Sequence, residues 1–241
     1  LVTEAGGEEG DITQIMQALI SFAEKSGPAR IYTCADAARS LVENGAALIG
    51  SVREAEDASK EGSLTAELDG YAVLGSGGRL MGCIEGEDAL GVGLFYGEPG
   101  RAALTLESGA TAELAGGSVE LVPVWDGAGN ISGLKAEVTV EAIVMETAPS
   151  LDLSTESARA QVEDELAGRC GAWVYNILDK SIALGLDFLG LGQRLEREAP
   201  DSWHSLPEPW PEQLPGLELE VTASAKILNV REFADAPDWG R

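Results

Sequence analysis

Histidine occurs once in 241 residues, cysteine three times, and lysine plus arginine only 16 times against 41 acidic side chains. Each scarcity removes a class of function. A nucleic-acid binder draws most of its affinity from cations that neutralise phosphates, and a chain of net charge −25 has few to offer. An anionic bilayer would repel it for the same reason. Both halves carry the acidic excess, so no acidic tail accounts for it; a soluble, self-avoiding surface does. Cys34, Cys83 and Cys170 are widely spaced and form no Cys-x-x-Cys pair, which gives neither a disulfide framework nor a metal signature and reads as small buried hydrophobes. No stretch approaches the ~20 uninterrupted apolar residues of a spanning helix. The first residues, Leu1 to Gly7, do not read as a signal peptide, and the missing initiator Met points to a trimmed start.

Catalytic groups are equally scarce. His204 stands between Trp203 and Ser205 with no local partner to orient it, as a general base requires. Gly-x-Ser-x-Gly and zinc-ligand spacings are absent. Gly75-Ser76-Gly77-Gly78 follows a predicted strand but leads into Arg79 and another strand, which makes a hairpin turn and no phosphate cradle. Gly190-Leu191-Gly192 follows a predicted helix and therefore fails as a dinucleotide fingerprint. Nothing implies a cofactor or a metal, and residue chemistry alone describes a non-enzymatic binding or structural module. A hydrolase built on a carboxylate pair has no organised group to support it.

What is present is periodicity. Asp11 can cap a helix with Ile12, Ile15, Met16, Leu19 and Ile20 on one face. A shorter helix from Cys34 to Glu43 ends at Asn44-Gly45, and 55–62 reads as a polar loop. Leu64–Leu74 and Leu80–Ile84 read as strands, Glu87–Leu94 as a short helix, 101–107 as a strand. A hairpin over 118–125 and 136–146 turns at Asp126 to Asn130. Past Ser154 and Thr155 comes a helix of about 28 residues with Val162, Leu166, Cys170, Trp173, Val174, Ile177, Leu178 and Ile182 on its apolar stripe. Its Glu163, Asp164 and Glu165 read as a solvated face, with Glu165 and Arg169 an i,i+4 pair. Five of the ten prolines fall between 200 and 215, which predicts an extended connection whose Trp203 and Trp210 plug the core edge or anchor a partner. Leu217 to Ile227 alternates as a strand with one buried face. The fold class expected is α+β: two units of mainly antiparallel sheet with helices, 1–98 and 99–241, the second built on the long helix and the terminal strand.

Two stretches carry a resemblance. Leu186-Asp187-Phe188-Leu189-Gly190-Leu191-Gly192 after the long helix, then Pro200-Asp201-Ser202-Trp203, Trp210 and an alternating strand form one. Leu68-Asp69-Gly70-Tyr71-Ala72-Val73-Leu74, Arg79 to Ile84 and Glu85-Gly86-Glu87-Asp88-Ala89-Leu90-Gly91 form the other. Together they resemble the Ger(x)C family, the C subunits of spore germinant receptors, over about 11–230. The resemblance implies a non-enzymatic subunit of a nutrient germinant receptor, active in assembly or signal coupling at the outer face of the spore inner membrane. It implies integral membrane A and B subunits as partners, and a lipoprotein anchor on a cysteine upstream of Leu1. One acyl chain binds a bilayer only marginally, so docking to those subunits would be needed as well. The alternative from another class is an extracytoplasmic protein that binds a small ligand between its two units.

Overall fold

Thr33 opens the first helix, α1 (Cys34–Asn44), with a capping box: its hydroxyl accepts from Asp36 N at 3.1 Å, and the Asp36 carboxylate accepts from Thr33 N at 3.0 Å. Gly45, at φ 72°, ends it. The computed structural model describes residues 32–56, 64–100 and 103–230, so the helix expected around Ile12–Ile20 lies outside the described residues. After α1 come β1 (Ala47–Glu56), β2 (Leu64–Leu74) and β3 (Leu80–Glu85), which form a three-stranded antiparallel sheet in that order. Gly70 sits where the β1–β2 register shifts; at φ 138° a Cβ there would lie 2.0 Å from the Ile84 carbonyl oxygen, so only glycine fits. The Gly75–Gly78 segment is the tight turn between β2 and β3.

Helix α2 (Asp88–Phe95) leads to the second sheet, β4 (Ala103–Thr105), β5 (Ala110–Trp125) and β6 (Ile131–Thr147). Asp126 closes the β5–β6 hairpin by accepting from the N–H groups of Ala128 and Asn130, each at 2.8 Å. Along β6, Ala136, Val138, Val140, Ala142 and Val144 are buried while Lys135, Glu137, Thr139 and Glu141 are exposed. The long helix α3 (Glu156–Leu184, 29 residues) crosses back over the buried face, capped by Thr155. All eight stripe residues expected from the sequence are buried. The crossover lets β7 (Glu218–Val230) pair parallel to β6 at the sheet edge. The architecture is α+β with two mainly antiparallel sheets.

Four expectations change. Strand β1 is absent from the sequence expectations, and it runs two residues, Ala55 and Glu56, into the segment read as loop. Strand β5 begins at Ala110, not 118. The proline-rich connection is not wholly extended: α5 (Pro200–Trp203) and α6 (Trp210–Gln213) occupy it, each with proline in its first turn, where the missing N–H costs nothing. Glu165 does not pair with Arg169; its carboxylate accepts from Ser108 N at 3.0 Å and Ser108 Oγ at 2.9 Å, and Glu163 accepts from Ile227 N at 2.9 Å. Two of the three acidic residues read as a solvated face thus tie α3 to its neighbours.

Candidate functional site

The two stretches quoted above become two junctions. At the first, Glu87 stands immediately before α2 and faces α3. Its carboxylate accepts from Arg169 Nε at 2.8 Å, from Arg169 Nη2, and from Trp173 Nε1 at 3.1 Å. Arg169 spends Nη1 on the Thr105 carbonyl at 2.7 Å and lies over the Trp173 ring, 5.9 Å from its centroid. The Arg169 hydrogen bond is the main cause that holds the Glu87 carboxyl below its ordinary value. Asn176 Nδ2 donates to Asp88 at 2.8 Å, and Lys180 donates to the Cys83 carbonyl. Gly91 lets the helices touch, since a Cβ there would lie 2.7 Å from the Trp173 carbonyl oxygen.

At the second junction Asp187 is 7% exposed and its carboxylate collects three donors: Leu191 N at 2.6 Å, Gly192 N at 2.8 Å and Trp210 Nε1 at 2.9 Å. The first two are otherwise unsatisfied groups at the start of α4 (Leu191–Glu198), so Asp187 closes that helix end while holding α6 against it. Burial pushes the carboxyl up from its ordinary value, and the donors oppose the shift. Gly192 fits beneath the paired tryptophans: a Cβ would lie 2.7 Å from Trp210 Cδ1 and 3.0 Å from Trp203 Cη2. The two indoles lie 5.6 Å apart between ring centroids.

The structure thus brings Trp203 and Trp210 together but presents them unequally. Trp210 is 8% exposed and uses its N–H internally, whereas Trp203 is half-buried at the surface. Gln213, which sequence reading passed over, is buried beside them and accepts from Ile131 N at 2.8 Å, which fixes α6 to the start of β6.

An open groove of about 640 Å³ is lined by residues of α1, the end of α2 and α4. Its floor includes Phe95, Tyr96, Phe188 and Leu189, so the Asp187 loop supplies part of it. Tyr96 Oη donates to the Leu189 carbonyl at 2.8 Å. Arg194 reaches in from α4, donates to the Phe95 carbonyl at 3.3 Å and to the Val119 carbonyl, and stacks 4.9 Å from the Phe95 ring centroid. Burial lowers its pKa, though the guanidinium stays charged. Arg39, Arg197, Asp36, Glu43 and Glu198 also line it, so both signs of charge surround the groove.

The other singled-out residues lie apart from this groove. His204 is exposed, with Nδ1 2.6 Å from the Pro200 carbonyl oxygen and Nε2 3.7 Å from Glu196. Cys34 is exposed, Cys83 half-buried and Cys170 buried, so the reading of all three as buried hydrophobes holds only for the last. Among the described residues no three His, Cys, Asp or Glu side chains converge as metal ligands would.

A search of curated sequences gives no match. The fold is similar to the crystal structure of the GerBC protein, with a TM-score of 0.64 at 16% identity, over 92% of this chain and 67% of that one. Residues 69–231 match the family described as spore germination B3/GerAC-like, C-terminal, a stretch that holds Glu87, Gly91, Asp187, Gly192 and both tryptophans. That match spans well over half of the chain, which therefore belongs to the spore germination GerAC-like family, the Ger(x)C proteins.

Proposed function

We propose that this chain is the C-subunit-like component of a nutrient germinant receptor, a non-enzymatic element that serves assembly or signal coupling at the outer face of the spore inner membrane. The observation that carries the reading is how its signature residues are spent. Glu87, Gly91, Asp187, Gly192 and Trp210 are committed to fixing helices against one another. A protein whose distinctive residues are consumed in junctions offers a shaped surface, not a reactive centre. In this reading the two units, 1–98 and 99–241, work as one body.

Among the described residues no helix is long and apolar enough to cross a membrane, and a net charge of −25 opposes attraction to anionic lipid. Membrane association then runs through a covalent lipid outside this sequence and through the integral A and B subunits. Trp203, half-exposed beside α4, is the candidate partner anchor of the tryptophan pair, with Trp210 supporting it from below. Co-expression of the full-length gene product with and without the two integral subunits tests this. The expected result is co-purification of all three from detergent extracts. Recovery of this chain alone, at equal levels in both cases, would refute it.

The groove favours a second reading, an extracytoplasmic small-ligand-binding protein, because an aromatic floor beside a half-buried guanidinium is how such sites are built. A melting temperature that climbs with ligand concentration, and does not climb in Arg194→Gln, would support it.

A further inference from the structure

Strand β7 has an edge that is unusually open. Among the described residues it lies at the border of the second sheet and pairs with β6 alone. Edge strands are ordinarily blunted by shortness, proline, bulges or inward-pointing charge, because a free row of N–H and C=O groups is a template for another strand. β7 is 13 residues long, contains no proline, and keeps register with β6 from Glu218 to Ile227, the one register shift falling beyond Ile227 at Leu228. Among the described residues, one side chain reaches its backbone from outside the sheet: Glu163, through Ile227 N. Backbone direction alternates along a strand. The N–H groups of Leu219, Val221, Ala223 and Ala225 therefore point to the same side as that of Ile227, away from β6.

A trough of about 400 Å³ runs beside this edge, where Gly168, Gly171 and Ala172 of α3 face Val221 and Ala223. Tyr175, 42% exposed, lines it as well. Small residues keep the trough open: a Cβ on Gly168 would meet nothing within 4 Å. Alternate side chains of an added strand would enter the trough, and the others would lie over the outer face of the sheet.

Charge selects the occupant. Around the edge stand Asp164, Glu137, Glu141, Glu218 and Glu220, against Lys135 and Lys226, and Lys135 is already paired with Glu220 at 2.8 Å. A second copy, itself at −25, would bring the same excess and be repelled. We infer that the free edge of β7 and the trough beside α3 are a docking site for an extended, basic segment of a partner protein, with small apolar residues at alternate positions, added as a fifth strand.

The purified chain tests this without reference to the receptor reading, so either can fail alone. The probes are two fluorescent nine-residue peptides, one alternating Val with Lys and one alternating Val with Glu, followed by anisotropy. The Val-Lys peptide binds and the Val-Glu peptide does not. Ala225→Pro removes one outward N–H and leaves the β6 ladder intact; Gly168→Arg fills the trough, adds a cation and favours helix. Each weakens Val-Lys binding at least tenfold, with circular dichroism unchanged; if Ala225→Pro does not fold, Gly168→Arg alone decides. Binding undiminished in the folded variants would show attraction by net charge only and overturn the inference. So would absence of Val-Lys binding, or a wild-type dimer in sedimentation that Gly168→Arg splits.

Discussion

Replacing Asp187 by alanine removes the acceptor for three donors at once: Leu191 N, Gly192 N and Trp210 Nε1. A buried donor left unpaired costs roughly 1–3 kcal/mol, so the gross penalty is roughly 3–9 kcal/mol. Part of it is offset, because the wild-type carboxylate is itself desolvated, as its upward pKa displacement shows. The low end, about 3–4 kcal/mol, is therefore expected. For a chain of this length each kcal/mol lowers the melting temperature by roughly 2–4 °C, which gives a drop of about 6–16 °C. Asp187→Asn retains one acceptor oxygen and should lose about half as much. Thermal unfolding followed by tryptophan fluorescence is the assay, since Trp203 and Trp210 lie at the perturbed site. An Asp187→Ala protein that melts within about 2 °C of wild type, with unaltered emission, would refute the hub role of this carboxylate.

Gly91→Ala should lower the urea midpoint by the equivalent of roughly 1–3 kcal/mol with the slope unchanged, because the new Cβ meets the backbone of Trp173 and cannot swing away. Gly168→Ala, with open space around its Cβ, should stabilise by up to about 1 kcal/mol in the same titration. The Glu87 carboxyl is held below its ordinary value of 4.5, so its contribution is present above that pH and fades as pH falls toward the lowered value. Wild type should therefore lose more stability on acidification through this range than Glu87→Gln does, measured by urea titration at each pH. A thiol reagent on the native protein should modify Cys34 first and Cys83 slowly, and spare Cys170, which is buried and whose thiol burial pushes up to about 12; peptide mass spectrometry reads the order.

Where a residue's partners are near in sequence, the sequence was a good guide. The α3 stripe, the Asn44-Gly45 end of α1 and the Asp126 turn were all readable, because periodicity and capping are local; the Thr33 cap of α1 was not read from the sequence. Strand β1 was not. Ala46, Ala47 and Leu48 are all almost fully buried, so the run has no two-residue alternation to betray it. Glu165 and Arg169 have pair spacing on a helix, yet each found a partner far along the chain, Ser108 and Glu87, and tertiary contacts overrode the local rule. The junctions behave alike. Resemblance marked Glu87, Asp187 and the tryptophans, but what they touch lies 82 residues away for Glu87 and Arg169, and 23 for Asp187 and Trp210. The groove and the open edge of β7 exist only once both sheets are placed.

Receptor membership is tested most directly in spores that lack this gene and carry its full-length copy on a plasmid, by following nutrient-triggered germination as loss of optical density. No response to the receptor's nutrient is expected in the deletion, recovery with the wild-type copy, and a reduced response with Asp187→Ala in step with its lowered abundance. Germination at wild-type rate in the deletion, toward every nutrient tried, would contradict receptor membership.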